Sequence, residues 1–389
     1  MNNKAYKIIS VSILIMIVMG TVYSWSVFRI SVENDFNLNA TQSGIPYMSA
    51  LFFYAISMMV TGRILSPKNM RLFALSGALL ISFAWLFASF STTLTQLTFS
   101  YGVLSGIGVG MLYGIPVFII QKEFSNRSGL YTGLVLLGFG MSPLITAPLA
   151  NSLLISIGLK QTFFFFSVVS FIVLVPLSMF LKTTTYGVGS QQHIDKSLSR
   201  KRFVGIYAMF LIATTIGLMM IGLSYRIGVA NYHFNRNHIA ILVSLFAVCN
   251  GVARPIFGQL MDKKGFDYTA RLSILLIVIA AIISSVNQGR YLALYAISFS
   301  LFWFNLGAWL AIAPAAIKEF YGLKKYSKNY GLMFTAYGFG AIIGVLLSGM
   351  IIDRFNNTTL LYLSIIFILV TTFIVDYLIY LSISKKRSV

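Results

Sequence analysis

Long apolar runs, each close to the length of a bilayer crossing, alternate with short polar segments along the whole chain. A window of about 19 residues, suited to spanning helices, places the first six at 8–28, 42–62, 72–90, 95–120, 129–156 and 161–181. The second six fall at 204–226, 239–261, 272–287, 291–317, 329–352 and 359–381. Hydrocarbon offers the backbone no hydrogen-bond partner, so each run is predicted to be a helix. The expected fold class is an all-α membrane protein with about 12 transmembrane helices. The longest polar stretch, Lys182 to Arg202, is rich in Ser, Thr, Gly and Gln and divides the chain. The expected organisation is an N-terminal six-helix bundle over 1–181, a cytoplasmic linker over 182–203 and a C-terminal six-helix bundle over 204–389. The first apolar run continues from Ile8 to Phe28 without a small-residue cleavage site, which reads as a retained span rather than a signal peptide.

Composition supports the same class. Of 389 residues, 58% are hydrophobic and 10% charged, whereas a soluble chain carries roughly 25% charged residues. The net charge of +20 invites a nucleic-acid reading, but its distribution argues otherwise. With the N-terminus inside, 22 of the 29 Lys and Arg residues fall on the inner side. The outer side holds Arg29, Lys160, Arg226, Arg236, Arg290 and Arg354, and Arg254 is left within a span. Basic loops fix orientation in this way. The expectation is a multi-pass cell-membrane protein with both termini cytoplasmic, a lipid partner and no nucleic acid. A monomer is expected.

Catalytic chemistry is poorly supplied. Cys249 is the only cysteine, which excludes a disulfide framework. His193, His233 and His238 lie in loops or at a span edge, and of nine acidic residues only Asp376 sits well inside a span. No metal cluster, cofactor site or catalytic pair is expected, so an enzyme is disfavoured. The same scarcity argues against a carboxylate proton relay and favours uniport or exchange.

The two halves repeat one another. Gly62 and Arg71 bracket the loop after span two, and Gly258 and Arg271 the loop after span eight, with the glycines 196 residues apart. Lys122-Glu123-Phe124 closes span four and Lys318-Glu319-Phe320 closes span ten, again 196 apart. Gly138-Phe139-Gly140 pairs with Gly338-Phe339-Gly340 at an offset of 200, and Gly20 and Tyr23 pair with Gly222 and Tyr225 at 202. Four matches in chain order point to a duplicated six-span unit. Parallel repeats of this kind hold a solute site near the midplane between them.

The run Gly258-Gln259-Leu260-Met261-Asp262-Lys263-Lys264-Gly265, closing at Arg271, resembles the loop signature of the major facilitator superfamily. The resemblance covers essentially the whole chain and implies two pseudo-symmetric bundles that transport by alternating access. In the first copy, Gly62 to Arg71, Ser66 or Pro67 stands near the place of the aspartate. That weakens any lock carried over to the N-terminal half. An aspartate at a helix end can pair with a basic residue of a neighbouring helix and hold one conformation. The expected gating set is therefore Gly258, Asp262, Lys263, Gly265 and Arg271. Topology alone is the competing reading of its basic residues.

Within the superfamily the chain resembles the oxalate/formate antiporter-like family. The tokens are Tyr23-Ser24-Trp25-Ser26-Val27-Phe28, Gly129-Leu130 to Pro148, Asn250 to Pro255, and Asn329-Tyr330-Gly331-Leu332 to Gly344. Glu123-Phe124-Ser125 departs from the family's Trp-Phe-Pro-like run. Oxalate transporters of that family carry one basic residue in span eight and another in span eleven. Arg254 matches the first, and Tyr337 stands where the lysine is expected.

Arg254 lies about 7 residues, or roughly 11 Å, from the inner end of its span, near the limit of snorkelling. A charge at that depth costs about 2.5–3.5 kcal/mol on insertion scales and usually faces a cavity or a partner. Its planar fork suits a carboxylate, although Asp262 or loop carbonyls are alternative partners. Pro255 cannot donate to the carbonyl of Gly251, so a bend is expected beside the charge. Two cations suit a dianion, whereas one arginine with a Tyr337 hydroxyl suits a monoanion. The expected substrate is a small monocarboxylate such as formate, lactate or pyruvate rather than oxalate.

The expected site also takes in Asn305 and the aromatic residues Tyr23, Trp25, Tyr225 and Trp303, since the resemblance puts spans one, four, seven and ten around the path. Interfacial anchoring is the competing reading of the aromatic residues. Gly106, Gly110 and Gly114, and Gly340, Gly344 and Ser348, recur every fourth residue and predict close helix packing. Without a strand before it, Gly106-Ile107-Gly108 is not a nucleotide site. Two other functions compete. Export of a larger hydrophobic or cationic compound is opposed by the lone buried arginine, and a non-transporting sensor by the short tail after Ile383.

Overall fold

The computed structural model describes residues 3–66, 68–124, 128–181, 196–322, 326–355 and 357–370, and every regular element among them is helical. Ten helices are long and apolar enough to cross a bilayer. They are α1 (Lys7–Phe36), α2 (Ala40–Ile64), α3 (Met70–Ser89), α4 (Leu94–Ile120), α5 (Gly129–Ser156), α6 (Gly158–Ser178), α7 (Arg202–Asn231), Arg236–Asn287, α10 (Leu292–Tyr321) and α11 (Tyr326–Phe355). The 52-residue helix is two crossings. Gly265 sits within it at φ 73°, ψ −176°, dividing α8 (236–264) from α9 (266–287). That conformation is open to glycine at little steric cost, so one residue does the work of the loop expected after span eight. A shorter apolar helix, α12, covers Thr358–Val370. The rest of the twelfth span, with Asp376, lies outside the described residues, as does most of the linker. Within the expected linker, helix begins at Lys196.

A second correction concerns Arg29, expected in an outer loop. The helix runs on to Phe36, where Asn37 ends it at φ 53°, and Arg29 is only 1% exposed. Hydropathy falls at a charge, but the backbone ladder continues wherever the charge finds partners. At 1.5 Å per residue α1 spans about 45 Å, against roughly 30 Å of hydrocarbon. Asn39 then starts α2 with a capping box: its side chain accepts from the Gln42 N–H, and the Gln42 side chain accepts from the Asn39 N–H.

The two bundles meet along two seams, α2 against α11 and α5 against α8. Glycines set the distances. Gly44 lies on Val345, Gly338 on Ala55, Gly331 on Met59 and Gly62 on the Ser327 carbonyl along the first seam. Gly129 lies on Gly258, Gly133 on Arg254 and Pro255, and Gly140 on Gly251 along the second. The first seam is closed from the end carrying most basic loops to the opposite end. Gly106 and Gly110 rest on the α2 backbone, and Gly340 and Gly344 on α7, as the four-residue spacing predicted. Large apolar side chains such as Ile172, Val286 and Phe367 point outward and stay more than 60% exposed, a surface that lipid covers.

Candidate functional site

At the centre of the interface the first helix is interrupted. In α1 the α-helix gives way to a 3-10 turn over Gly20–Ser24, a local tightening often found at hinges. Gly20 rests on the Phe139 carbonyl of α5, and the turn aims Tyr23 at the opposite half. There its hydroxyl meets that of Tyr337 at 2.8 Å, and both side chains are buried. Rings from both bundles surround the pair. Phe139 stands edge-on to Tyr23 at 5.1 Å, Tyr54 lies 5.6 Å from Tyr337, and Phe334 stacks on Tyr337 at 4.8 Å. Tyr113 of α4 closes the group at 5.4 Å from Phe139.

Arg254 enters this aromatic cluster from α8. It is fully buried, with its guanidinium 5.7 Å from the centre of the Phe139 ring, in the range for cation–π attraction. Nη1 donates to the Leu136 carbonyl of α5 at 2.5 Å, and Nη2 to Asn250 Oδ1 at 2.9 Å. Asn250 in turn donates to the Trp303 carbonyl at 2.7 Å, tying the arginine to α10. The suggested partners Asp262 and loop carbonyls are thus replaced by a neighbouring helix's carbonyl and an amide one turn away. Two buried donors here lack a partner in the described structure: Arg254 Nε and Trp303 Nε1. Such groups are uncommon and costly. Trp303 belongs to the cluster, 6.4 Å from Tyr23.

Three expected members lie elsewhere. Trp25 stacks on Tyr101 at 4.4 Å and donates to the Ser43 carbonyl at 3.1 Å, inside the N-terminal bundle. Asn305 accepts from Ser273 at 2.6 Å and donates to the Leu301 carbonyl, binding α9 to α10. Tyr225 donates to Asn151 across the halves at 3.2 Å, near the end opposite the basic loops. Conversely, the sequence does not single out Asn250, Tyr54, Tyr113, Phe139 and Tyr330 for the site. Asn250 had a legible signal, standing one helical turn before Arg254. The others are indistinguishable in sequence from many packing aromatics.

The loop set divides. Gly258 touches the Gly129 carbonyl, and the Asp262 carboxylate accepts the backbone N–H groups of Gly129 and Leu130, at the start of α5. A carboxylate at a helix N-terminus is favourable. The partner is therefore a helix end in the other half, with the Lys318 charge also acting on Asp262, rather than a basic side chain alone. Lys263 and Arg271 are exposed, and Gly265 makes the turn. In the first copy Gly62 meets Ser327 at the start of α11, the symmetric contact, but Ser66 occupies the aspartate's position and donates its N–H to Asn69 instead.

The opposite end is held by a different cluster. Asp353 of α11 accepts the N–H groups of Ala40 and Thr41 at the start of α2. Glu33 accepts from Arg226 across the halves at 3.1 Å and lies 3.5 Å from Arg29. Arg29 further donates to Ser43 and to the carbonyls of Ala40 and Gly222.

Known proteins resemble this chain in sequence and in fold. The chain matches the sequence pattern of the Major Facilitator Superfamily over residues 9–227 and again over 202–388. An uncharacterised MFS-type transporter of Escherichia coli, YhjX, is 25% identical over 85% of this chain and 84% of its own length. The oxalate:formate antiporter of Oxalobacter formigenes is 22% identical over 94% and 89%. Monocarboxylate transporter 13 of Bos taurus is 27% identical over 77% and 71%. The human organic anion transporter MFSD10 has the same fold, with a TM-score of 0.66 over 96% of this chain and 99% of that one at 11% identity. With both halves matched and the two six-helix bundles in place, the chain belongs to the Major Facilitator Superfamily of membrane transporters.

Proposed function

We propose that this transporter moves a small organic anion, a monocarboxylate, by alternating access, in a cell membrane with its basic end in the cytoplasm. The observation that carries the reading is Arg254. It is a fully buried cation between the halves whose Nε lacks a hydrogen-bond partner among the described residues, and Trp303 Nε1 is a second such donor in the cluster. A carboxylate satisfies such donors and neutralises the charge, and the planar fork favours two-point contact. The Tyr23 and Tyr337 hydroxyls supply further hydrogen bonds once the halves part. One cation with neutral tyrosines matches one negative charge better than two. The names of two relatives, an oxalate:formate antiporter and a monocarboxylate transporter, support the substrate class. Asp262 at the start of α5 serves as the inner clamp, released when the basic end opens.

Counterflow in liposomes tests the reading. Formate, lactate or pyruvate trapped inside drives uptake of its labelled counterpart, and Arg254→Gln abolishes it. Efficient oxalate counterflow with poor monocarboxylate counterflow overturns the charge argument. Unchanged counterflow in Arg254→Gln removes this residue from the site.

A further inference from the structure

Resting on the reading of the substrate as an anion, we propose that Arg226 is an outer docking point for it, and that the anion opens the outer gate by taking the place of Glu33. At the end opposite the basic loops, two arginines share one carboxylate. Arg29 is well satisfied, by Ser43, Ala40, Gly222 and Glu33. Arg226 is less so. Beyond Glu33, its hydrogen bond among the described residues is to Asn231 at 3.3 Å, and 15% of its side chain is open to solvent.

Parting the halves here affects them unequally. Arg29 and Glu33 sit one turn apart on α1, so the N-terminal half keeps a neutral pair. Arg226 leaves with the C-terminal half and loses its carboxylate. The outer end of that half carries Arg226, Arg236, Arg290 and Arg354 against Asp353 alone. The N-terminal half is balanced there, with Arg29 and Lys160 against Glu33 and Asp35. Asp353 is released from the start of α2 in the same movement, and one carboxylate then faces four arginines. Removing Glu33 leaves the half-buried Arg226 without its ionic partner, which is unfavourable. A substrate carboxylate bound to Arg226 offsets that loss, so the open state is favoured when anion is present. A ligand shifts such an equilibrium only through tighter binding to one state, and Arg226, freed of Glu33, supplies that difference.

Val345→Cys in a Cys249→Ala background reports outer opening, because Val345 is 2% exposed and packs on Gly44 in the α2–α11 seam. Lactate is the probe. In wild type, external lactate raises maleimide labelling at position 345. Glu33→Gln raises labelling several-fold without lactate and flattens the response. Arg226→Gln loses the lactate response and raises KM for external lactate about tenfold with little change in kcat. Arg226→Lys, which keeps the charge without the fork, restores part of both and so separates the effect from misfolding. A lactate response and KM unchanged in Arg226→Gln overturn the proposal, as does basal labelling unchanged in Glu33→Gln. The anion reading fails separately, if wild-type protein shows no carboxylate counterflow at all.

Discussion

Tyr23 and Tyr337 belong to different halves, yet their hydroxyls share a 2.8 Å hydrogen bond at the middle of the interface. Each also packs against rings from both bundles. The bond exists only while the halves are together at this level, so it stabilises the closed centre.

Replacing either tyrosine by phenylalanine leaves the other hydroxyl buried without this partner, at a cost of about 1–3 kcal/mol. Replacing both removes the orphan. The expected double-mutant cycle in thermal stability, measured in detergent, therefore shows the pair variant less destabilised than the two single effects predict. Strict additivity would mean that the contact carries no energy.

Tyr337→Lys places a second cation near Arg254 in the cluster. A dianion then becomes the better match, and oxalate counterflow is expected to rise relative to lactate counterflow. A ratio unchanged from wild type in a well-folded variant would sink the argument from charge number.

Asp262→Asn keeps the side chain's shape but removes its charge from the start of α5. Such a charge–helix interaction is worth about 0.3–2 kcal/mol, which corresponds to a shift of roughly 2- to 30-fold toward opening at the basic end. Maleimide labelling of Thr61→Cys, a buried position of α2 beside Gly62, reads the shift in a Cys249→Ala background. Ser66→Asp, supplying the acid that the first copy lacks, is expected to slow the same labelling.

Gly133→Leu tests the second seam. A Cβ at this position would sit 2.7 Å from the Arg254 carbonyl oxygen and from Pro255 Cα, both backbone atoms. Overpacking usually costs about 1–3 kcal/mol, and here the helices must separate to relieve it. Loss of counterflow with a lowered melting temperature is the expected result, whereas wild-type behaviour in both would show that the seam is looser than the structure indicates.

How far the site could be read from the chain differs residue by residue. Arg254 stood out because an uncompensated charge in an apolar run is rare and needs a reason. Tyr337 emerged through the resemblance, as the residue where a lysine was expected. Asn305 attracted attention for the same polarity, but Ser273 on α9 satisfies it within its own bundle. Nothing local to span ten announces that partner. Trp25 and Tyr23 are two residues apart on α1, yet one packs within the N-terminal bundle and the other faces the C-terminal half. The 3-10 turn at Gly20–Ser24 fixes that division.

What the chain determined unaided was its class, its spans and its repetition, because the bilayer demands long apolar helices and a duplication leaves its spacing in the numbering. Which side chains share the centre, and which ends are clasped, came only with the tertiary structure. Those outcomes depend on helix rotation and on cross-half partners more than 100 residues away, such as Leu136 for Arg254 and Glu33 for Arg226. Periodicity fixes a face relative to its own helix, and packing decides what that face meets.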